Sequence, residues 1–388
     1  MFSGDELRVY LISLKCIGLL YVTHDVSQPY RIYASDLDHT LTVVGLTLLQ
    51  LFIWVAFAQL LRMPETFTLP QYTAVGNTYF VINFGVICIV ISLIYLGFYA
   101  SRQRLLAVLA FVLYHNHRDL RNCHAKRFLK LYYMYVGLTV ICAITYTGAF
   151  RFANLRIVPS ILLSFIHTYS FLLIGLIIIL YSCLTQILAA LLHLYNRELL
   201  AAITAVATPG VTRTATTTIN RLYKRNQMLI VCHEQLNSVF GPFLALITAL
   251  CLMSAPIAPF FLITIVFKMD VKQIGLLNIF KALYTCLLWN IPWAAGLIMV
   301  FRQDIVRQEA NKTAKILAKI PRTGSGLDKM VEKFLLKNLR QQPILTAYGF
   351  FALDKSTLFK LFTAIFTYMV ILVQFKEMEN STKSLQKS

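Results

Sequence analysis

Four polar side chains follow one face of the last long apolar segment of the chain: Lys360, Thr363, Thr367 and Gln374. Their spacings of three, four and seven residues place them on the same side of an α-helix. Because a polar face is costly against lipid, it must face other protein or water. The pattern leaves two interpretations open: a hydrogen-bonded seam between helices, or a pore wall with Gln374 as a polar ring and Val370 or Ile371 as a constriction.

Motifs for catalysis are absent from the sequence. The chain contains no phosphate-binding loop, no G-x-G-x-x-G, no H-E-x-x-H and no G-x-S-x-G. His115, His117, Cys123 and His124 lie close together along the chain, but their spacing matches no standard zinc site. We therefore predict that the protein is not an enzyme and that it needs neither a cofactor nor a metal.

The composition indicates a membrane protein. Hydrophobic residues make up 58% of the 388 residues, charged residues make up 14%, and mean hydropathy is +0.66. Soluble domains are about 45–50% apolar and roughly 25% charged. The net charge of +19 is spread over several loops, as is typical of positive cytosolic loops. We predict that the chain contacts a lipid bilayer and does not bind nucleic acid.

Seven segments are long and apolar enough to cross a bilayer, which takes about 20 residues. They cover residues 41–61, 79–99, 128–150, 159–194, 240–267, 274–301 and 356–375. The fourth would be about 54 Å long as a helix, against a hydrocarbon core of about 30 Å, so its end is expected to project beyond the bilayer. The predicted fold class is all-α, with seven transmembrane helices.

The rest of the chain divides around these segments. The short apolar stretch 5–23 contains Lys15 and is predicted to lie at the membrane interface. The predicted organisation is an interfacial N-terminal segment (1–40), a bundle of six helices (41–301) with cytosolic loops (100–127 and 195–235), a basic cytosolic region (302–355), the last helix (356–375) and an extracellular tail (376–388).

The distribution of basic residues predicts which side each loop faces. Lys and Arg number 25 in the N-terminus and the three inner regions (100–127, 195–235 and 302–355). They number 8 in the four outer regions (62–78, 151–158, 268–273 and 376–388). The positive-inside rule then places the N-terminus in the cytosol and the C-terminus outside the cell. This is the reverse of a G-protein-coupled receptor. We expect a multi-pass protein of the plasma membrane.

Covalent modification has little support in the sequence. None of the eight cysteines lies in a predicted outer loop, so disulfide bonds are not expected. Of the two glycosylation sequons, at Asn311 and Asn380, only the second falls on the predicted outer side. Asn380 is therefore the candidate glycosylation site.

The C-terminal part of the chain resembles insect gustatory receptors. Residues 367–375, TYMVILVQF, fit the T-Y-(five hydrophobic)-Q-F signature of that family. The stretches 348–354 (YGFFALD) and 311–317 (NKTAKIL) are similar to family segments before the last helix and after the sixth. The resemblance is dense over about the last 90 residues and diffuse elsewhere.

This resemblance implies a ligand-gated, non-selective cation channel. In the family four subunits surround one pore lined by the last helix, a tastant binds in the outer half of the bundle, and a cytosolic anchor joins the subunits. By position, Gln374 with Ile371 or Val370 would line the pore and Thr367 would lie deeper. Tyr368 and Phe375 would anchor the helix. The partners are then a small-molecule tastant and further copies of this chain or other gustatory subunits, in sensory neurons.

Aromatic residues at the outer height of the bundle are the candidate ligand contacts. They are Tyr79, Phe80, Phe84, Tyr146, Phe150, Phe165, Tyr169, Phe260, Phe280 and Tyr284, with the intramembrane His167 beside them. Such a site suits apolar, aromatic or cationic compounds, although an interfacial belt gives the same pattern. Sugar-sensing members have Glu directly after T-Y, where this chain has Met369. These observations favour a bitter compound over a sugar.

Two other functions remain compatible with seven helices. A metabotropic seven-helix chemoreceptor would require an extracellular N-terminus and a cytosolic partner. A transporter would be expected to show internal repeats and paired broken helices, and no repeat is evident in the sequence.

Overall fold

The structure is a computed structural model. It describes residues 12, 14–15, 17, 19, 23–24, 32–33, 36–63, 74–119, 125–152, 156–206, 212–268, 276–301, 305–319, 329, 332, 336 and 355–385.

The fold is almost entirely helical. A short antiparallel pair of strands, β1 (Thr23–His24) and β2 (Ile32–Tyr33), pairs Thr23 with Tyr33 and His24 with Ile32. The main helices are α1 (Asp36–Leu61), α2 (Ala74–Asp119), α3 (Ala125–Phe152), α4 (Ile157–Val206), α5 (Thr212–Ser254), α6 (Ile257–Lys268), α7 (Leu276–Phe301), α8 (Ile305–Leu317) and α9 (Lys355–Leu385).

The apolar helices match the predicted membrane segments. Within the described residues, six helices are long and apolar enough to cross a bilayer, namely α1 to α4, α5 with the start of α6, and α9. The predicted sixth segment corresponds to α7. The fifth segment, predicted as one helix over 240–267, is interrupted at Ala255 and Pro256. Pro256 has no N–H to continue the hydrogen-bond ladder, which explains the interruption.

Helix α4 is the centre of the bundle. It packs against α1, α2, α3, α5, α7 and α8, and 83% of its most apolar stretch is buried. Its 50 residues make it about 75 Å long, so it extends far beyond the hydrocarbon core. By contrast, only 6% of the corresponding stretch of α9 is buried.

The regions predicted as the first two cytosolic loops are largely helical. Residues 100–119 continue α2, residues 195–206 continue α4, and α5 begins at Thr212. These extensions carry apolar residues such as Leu105, Val112 and Leu199 that are buried between the helices. Burial of one apolar face therefore continues the helices beyond the bilayer.

A glycine on α4 lets α3 approach closely. The ring of Tyr135 on α3 lies where a Cβ at Gly175 would be, and the Tyr135 hydroxyl donates a hydrogen bond to the Phe171 carbonyl at 2.8 Å. Any larger residue at position 175 must displace that ring.

Part of the N-terminal segment packs into the bundle. Leu14 and Ile17 are buried, and the Ile17 carbonyl accepts hydrogen bonds from the hydroxyls of Tyr95 on α2 and Tyr169 on α4. Lys15 lies 3.2 Å from Asp38 on α1. The described part of this segment therefore contacts the helices directly, which the prediction of an interfacial segment did not include.

Beyond the apolar part of α4, a polar cluster joins it to the end of α2. Asp119 accepts hydrogen bonds from Tyr195 on α4 at 2.5 Å and from His115 at 3.0 Å. Burial alone would raise the pKa of Asp119, but these two hydrogen bonds and nearby positive charge lower it below its usual value.

A second polar cluster joins α4 to α8. The Glu309 carboxylate accepts hydrogen bonds from Lys312 at 2.6 Å and His193 at 3.4 Å, and the Glu309 carbonyl accepts one from Asn196 at 2.9 Å. Thr313 donates to the Asn196 side chain at 2.5 Å. Burial would raise the pKa of Glu309, whereas the bonds from Lys312 and His193 lower it on balance.

These lowered pKa values predict loss of stability in acid. A carboxyl group whose pKa is lower in the folded chain stabilises it above the unfolded pKa of about 4, and this contribution disappears as the pH falls through the folded pKa. We expect Glu309→Gln to lower the Tm of the solubilised protein at pH 7 by about 1–3 °C, as for a partly exposed ion pair. The same substitution should flatten the fall in Tm below pH 4.

Thermal unfolding followed by fluorescence between pH 3 and 8 measures both effects. Glu198→Gln is the control, because Glu198 is an exposed carboxylate on the part of α4 that carries His193 and Asn196. Identical pH profiles for the two variants would contradict this role of Glu309.

Candidate functional site: an aromatic cage and an exposed polar helix

Four helices bring aromatic rings together around His167. The imidazole is fully buried and stacks on Trp289 of α7, with ring centroids 3.8 Å apart. Tyr146 of α3 and Phe171 of α4 contact it edge-on at 4.9 and 4.6 Å. Phe84 of α2 lies at 6.0 Å. We call these five residues the aromatic cage.

The cage contains an unused hydrogen-bonding group. Neither ring nitrogen of His167 has a hydrogen-bond partner among the described residues. A neutral imidazole has one donor and one acceptor, and leaving them unsatisfied when buried costs about 1–3 kcal/mol. The cage is thus a largely apolar, aromatic site, and the imidazole at its centre has no hydrogen-bond partner among the described residues.

The structure separates the predicted ligand residues into two groups. Phe84, Tyr146 and His167 belong to the cage, and Phe80 contacts Phe84 at 4.8 Å. Phe260 lies on α6 and is also buried.

The other predicted ligand residues point elsewhere. Phe165 stacks on Tyr169 and meets Phe52 of α1 edge-on, on the side of α4 away from the cage. Phe280 and Tyr284 are 60% and 53% exposed on α7. Phe150 belongs to α3, but its side chain lies outside the described residues.

Hydrogen bonds from neighbouring helices hold the end of α5. The last carbonyls of a helix have no partner within it. The Tyr79 hydroxyl of α2 donates to the Met253 carbonyl, and Trp289 Nε1 donates to the Ser254 carbonyl at 2.9 Å. Ser254 Oγ in turn donates to Asn83 of α2 at 2.8 Å. Trp289 therefore links the aromatic cage to the interruption between α5 and α6.

Helix α9 presents its predicted pore face to the outside of the chain. Thr363, Thr367, Val370, Ile371 and Gln374 are all exposed. The two threonine hydroxyls donate to carbonyls of their own helix, at 3.1 and 3.0 Å, which reduces their need for other partners. Among the uncharged side chains of this face, the exposed Gln374 carboxamide would be the most costly to place against lipid.

Different residues hold α9 against its own chain. Leu361 and Leu372 are each 8% exposed, and α9 packs on α5, α6 and α7. Tyr368 and Phe375, predicted to anchor the helix, are 54% and 48% exposed. Asn380, the candidate glycosylation site, lies in the helical part of α9.

The family profile described as 7tm Chemosensory receptor matches residues 7–379. The chain belongs to this family. It is a receptor and not an enzyme, and the predicted resemblance to insect gustatory receptors is confirmed.

Two comparisons add detail to this assignment. The receptor is 40% identical over 390 residues to gustatory and pheromone receptor 39a, isoform D, of Drosophila melanogaster, covering 99% of this chain and 98% of that protein. The insect olfactory receptor OR5 from Machilis hrabei has the same fold, with a TM-score of 0.68 over 96% of this chain and 98% of that one, at 12% identity. Its structure in complex with eugenol gives the same values.

Sequence reasoning missed two members of the aromatic cage. Phe171 and Trp289 were not among the candidates, although they contact His167 most closely. One signal was available for the first. Phe171 lies four residues after His167, on the same face of α4, where side chains i and i+4 meet. The contact with Trp289 depends on how α7 packs against α4, which the sequence of the receptor does not reveal.

Proposed function

We propose that the receptor is a ligand-gated, non-selective cation channel in the plasma membrane of sensory neurons. Four subunits, copies of this chain alone or together with other gustatory receptors, surround a pore lined by α9. One observation carries this proposal: the apolar stretch 356–375 of α9 has an exposed Gln374 near its outer end, and only 6% of this stretch is buried in its own chain. When copies of this helix surround a water-filled pore, its polar face contacts water and its apolar sides pack against neighbouring helices.

The pore face supplies a gate and a filter. Val370 and Ile371 form a hydrophobic constriction that closes by dewetting when the helices are close together. Four Gln374 carboxamides form a neutral polar ring one turn further out, which passes monovalent cations and calcium without sharp selectivity. Thr363 and Thr367 continue the face towards the cytosol. Tyr368 and Phe375, exposed in the single chain, pack against neighbouring subunits.

The ligand is an apolar or aromatic compound, and a bitter compound is favoured over a sugar. The cage offers aromatic faces and few polar groups, among them the His167 imidazole, which suits a largely apolar molecule. Sugars need many hydrogen-bonding partners, and Met369 replaces the Glu of sugar-sensing members. The relatives include a protein named as both a gustatory and a pheromone receptor, and apolar ligands fit both roles.

Ligand entry is coupled to α9 through Trp289. The rings pack closely around His167, so a ligand enters by moving α7 away from α4. That movement changes the hydrogen bond from Trp289 to the end of α5. Helix α6 begins just beyond that point and packs on α9. The short turn at Ala255 and Pro256 thus transmits the displacement from the cage to the pore.

Whole-cell current under blocked G-protein signalling tests this function. A panel of bitter compounds and sugars is applied to cells expressing the receptor. We expect a bitter compound to evoke a cation current, and Gln374→Ala to change the calcium-to-sodium permeability ratio by about two- to fivefold through loss of the polar ring.

Gln308→Ala, on the exposed side of α8, is the matched control. A current that disappears when G-protein signalling is blocked would instead identify a metabotropic receptor. Equal permeability in Gln374→Ala and Gln308→Ala would contradict the pore assignment.

A further inference from the structure

Helix α9 is longer than the membrane segment predicted from the sequence. It continues to Leu385, ten residues beyond Phe375, and therefore extends about 15 Å past the signature motif. The predicted tail is largely a continuation of the pore helix. In the proposed channel, four such extensions surround the outer mouth.

The helical register brings a carboxylate to the pore side of this extension. Glu377 follows Gln374 by three residues, and Ser381 follows Glu377 by four, so both continue the face formed by Thr367 and Gln374. The Glu377 side chain is exposed. Positions 376 and 383, both lysines, lie roughly 160–180° around the helix from Gln374, on the opposite side.

The opposite charge lies at the other end of the same face. Lys360 precedes Thr363 by three residues and is exposed. Lys360 and Glu377 are separated by 17 residues, or about 25 Å along the helix. This is close to the thickness of the hydrocarbon core, about 30 Å, so each charge lies near one end of the pore.

We propose that Glu377 forms an acidic ring at the outer mouth of the pore and Lys360 a basic ring at the inner mouth, so that cations pass more readily inward than outward. The inference rests on the proposed function. Four carboxylates around one axis raise the local cation concentration outside. Four ammonium groups lower it at the inner entrance. The two rings therefore act in the same direction on current.

The experiment uses excised patches and an activating compound from the bitter panel. It compares current–voltage curves in symmetrical solutions at about 10 mM and about 150 mM salt, where the screening lengths are about 30 and 8 Å. We expect Glu377→Gln to reduce inward conductance about threefold at low salt and only slightly at high salt. We expect Lys360→Gln to increase outward conductance at low salt by a similar factor.

Glu379→Gln is the matched control, because it removes the same charge two residues further on and about 160° away around the helix from Glu377. If Glu377→Gln and Glu379→Gln alter the wild-type current equally, the proposed charged rings are wrong, although the proposed channel is not contradicted. Absence of any ligand-evoked current from wild-type receptor at the surface, both alone and co-expressed with other gustatory receptors, overturns the proposed channel.

Cysteine substitution tests the position of Glu377 without a ligand. A short bis-maleimide reagent should join copies of the Glu377→Cys receptor and leave Glu379→Cys largely unlinked. Equal cross-linking of both variants, or of neither, would contradict the placement of Glu377 at the axis.

Discussion

Replacing Gly175 by alanine is expected to remove most of the folded receptor from the cell surface. A Cβ at this position would overlap the ring of Tyr135, and moving that ring aside would disturb the hydrogen bond from its hydroxyl to the Phe171 carbonyl. Overpacking of this kind costs about 1–3 kcal/mol, and loss of the hydrogen bond adds about 1 kcal/mol. Such a sum is a large part of the stability of most domains.

Surface biotinylation and the Tm of the solubilised receptor measure this loss. Gly137→Ala is the matched control, because its Cβ would lie on α3 with no other atom within 4 Å. That variant should be neutral or gain up to about 1 kcal/mol, since alanine favours helix over glycine. A second variant that combines Gly175→Ala with Tyr135→Val should recover part of the lost protein. Equal surface levels for Gly175→Ala and Gly137→Ala would contradict the close approach of α3 and α4.

The second large effect is expected from Trp289→Phe. This change keeps an aromatic ring beside His167 but removes the N–H that donates to the Ser254 carbonyl. The carbonyl then lies buried without that partner, at a cost of about 1–3 kcal/mol. If this bond couples the cage to α6, the concentration of agonist needed for half-maximal current should change about tenfold or more, with less change in surface level.

Trp293→Phe provides a control of the same chemistry. Trp293 is buried one turn further along α7, and its Nε1 has no hydrogen-bond partner among the described residues. Removing that N–H breaks no hydrogen bond to any described residue, so agonist potency should stay near the wild-type value. Similar dose–response curves for the two variants would show that the bond to Ser254 plays no part in gating.

The sequence predicted the fold through the length of its apolar segments. Runs of about 20 apolar residues leave few structures other than a spanning helix, since every backbone group must be bonded internally. The interruption at Pro256 was not predicted, because proline is tolerated inside many membrane helices when neighbours satisfy the freed groups. Here the hydrogen bonds from Tyr79 and Trp289 provide that support. These hydrogen bonds join residues far apart in the chain, so no local sequence pattern predicts them.

The candidate site was predicted less completely for a geometric reason. Counting aromatic residues by height in the bilayer does not give the direction in which each side chain points. Phe165 and His167 are two residues apart, and a helix turns by about 200° over that distance. One therefore faces α1 while the other occupies the cage. The polar face of α9 could be predicted from the sequence, because the spacing of its polar residues places them on one side of the helix.

The exposure of α9 has a genetic consequence. In the proposed assembly, residues such as Gln374 meet the same residue of other copies at one axis. The altered side chains then lie in the one pore that all copies share, whereas an altered aromatic cage affects only the ligand site of its own subunit. In a cell that makes both normal and altered chains, most assemblies contain at least one altered copy at the axis. Alleles that change the exposed face of α9 should therefore be dominant, and alleles that only weaken the cage should be recessive.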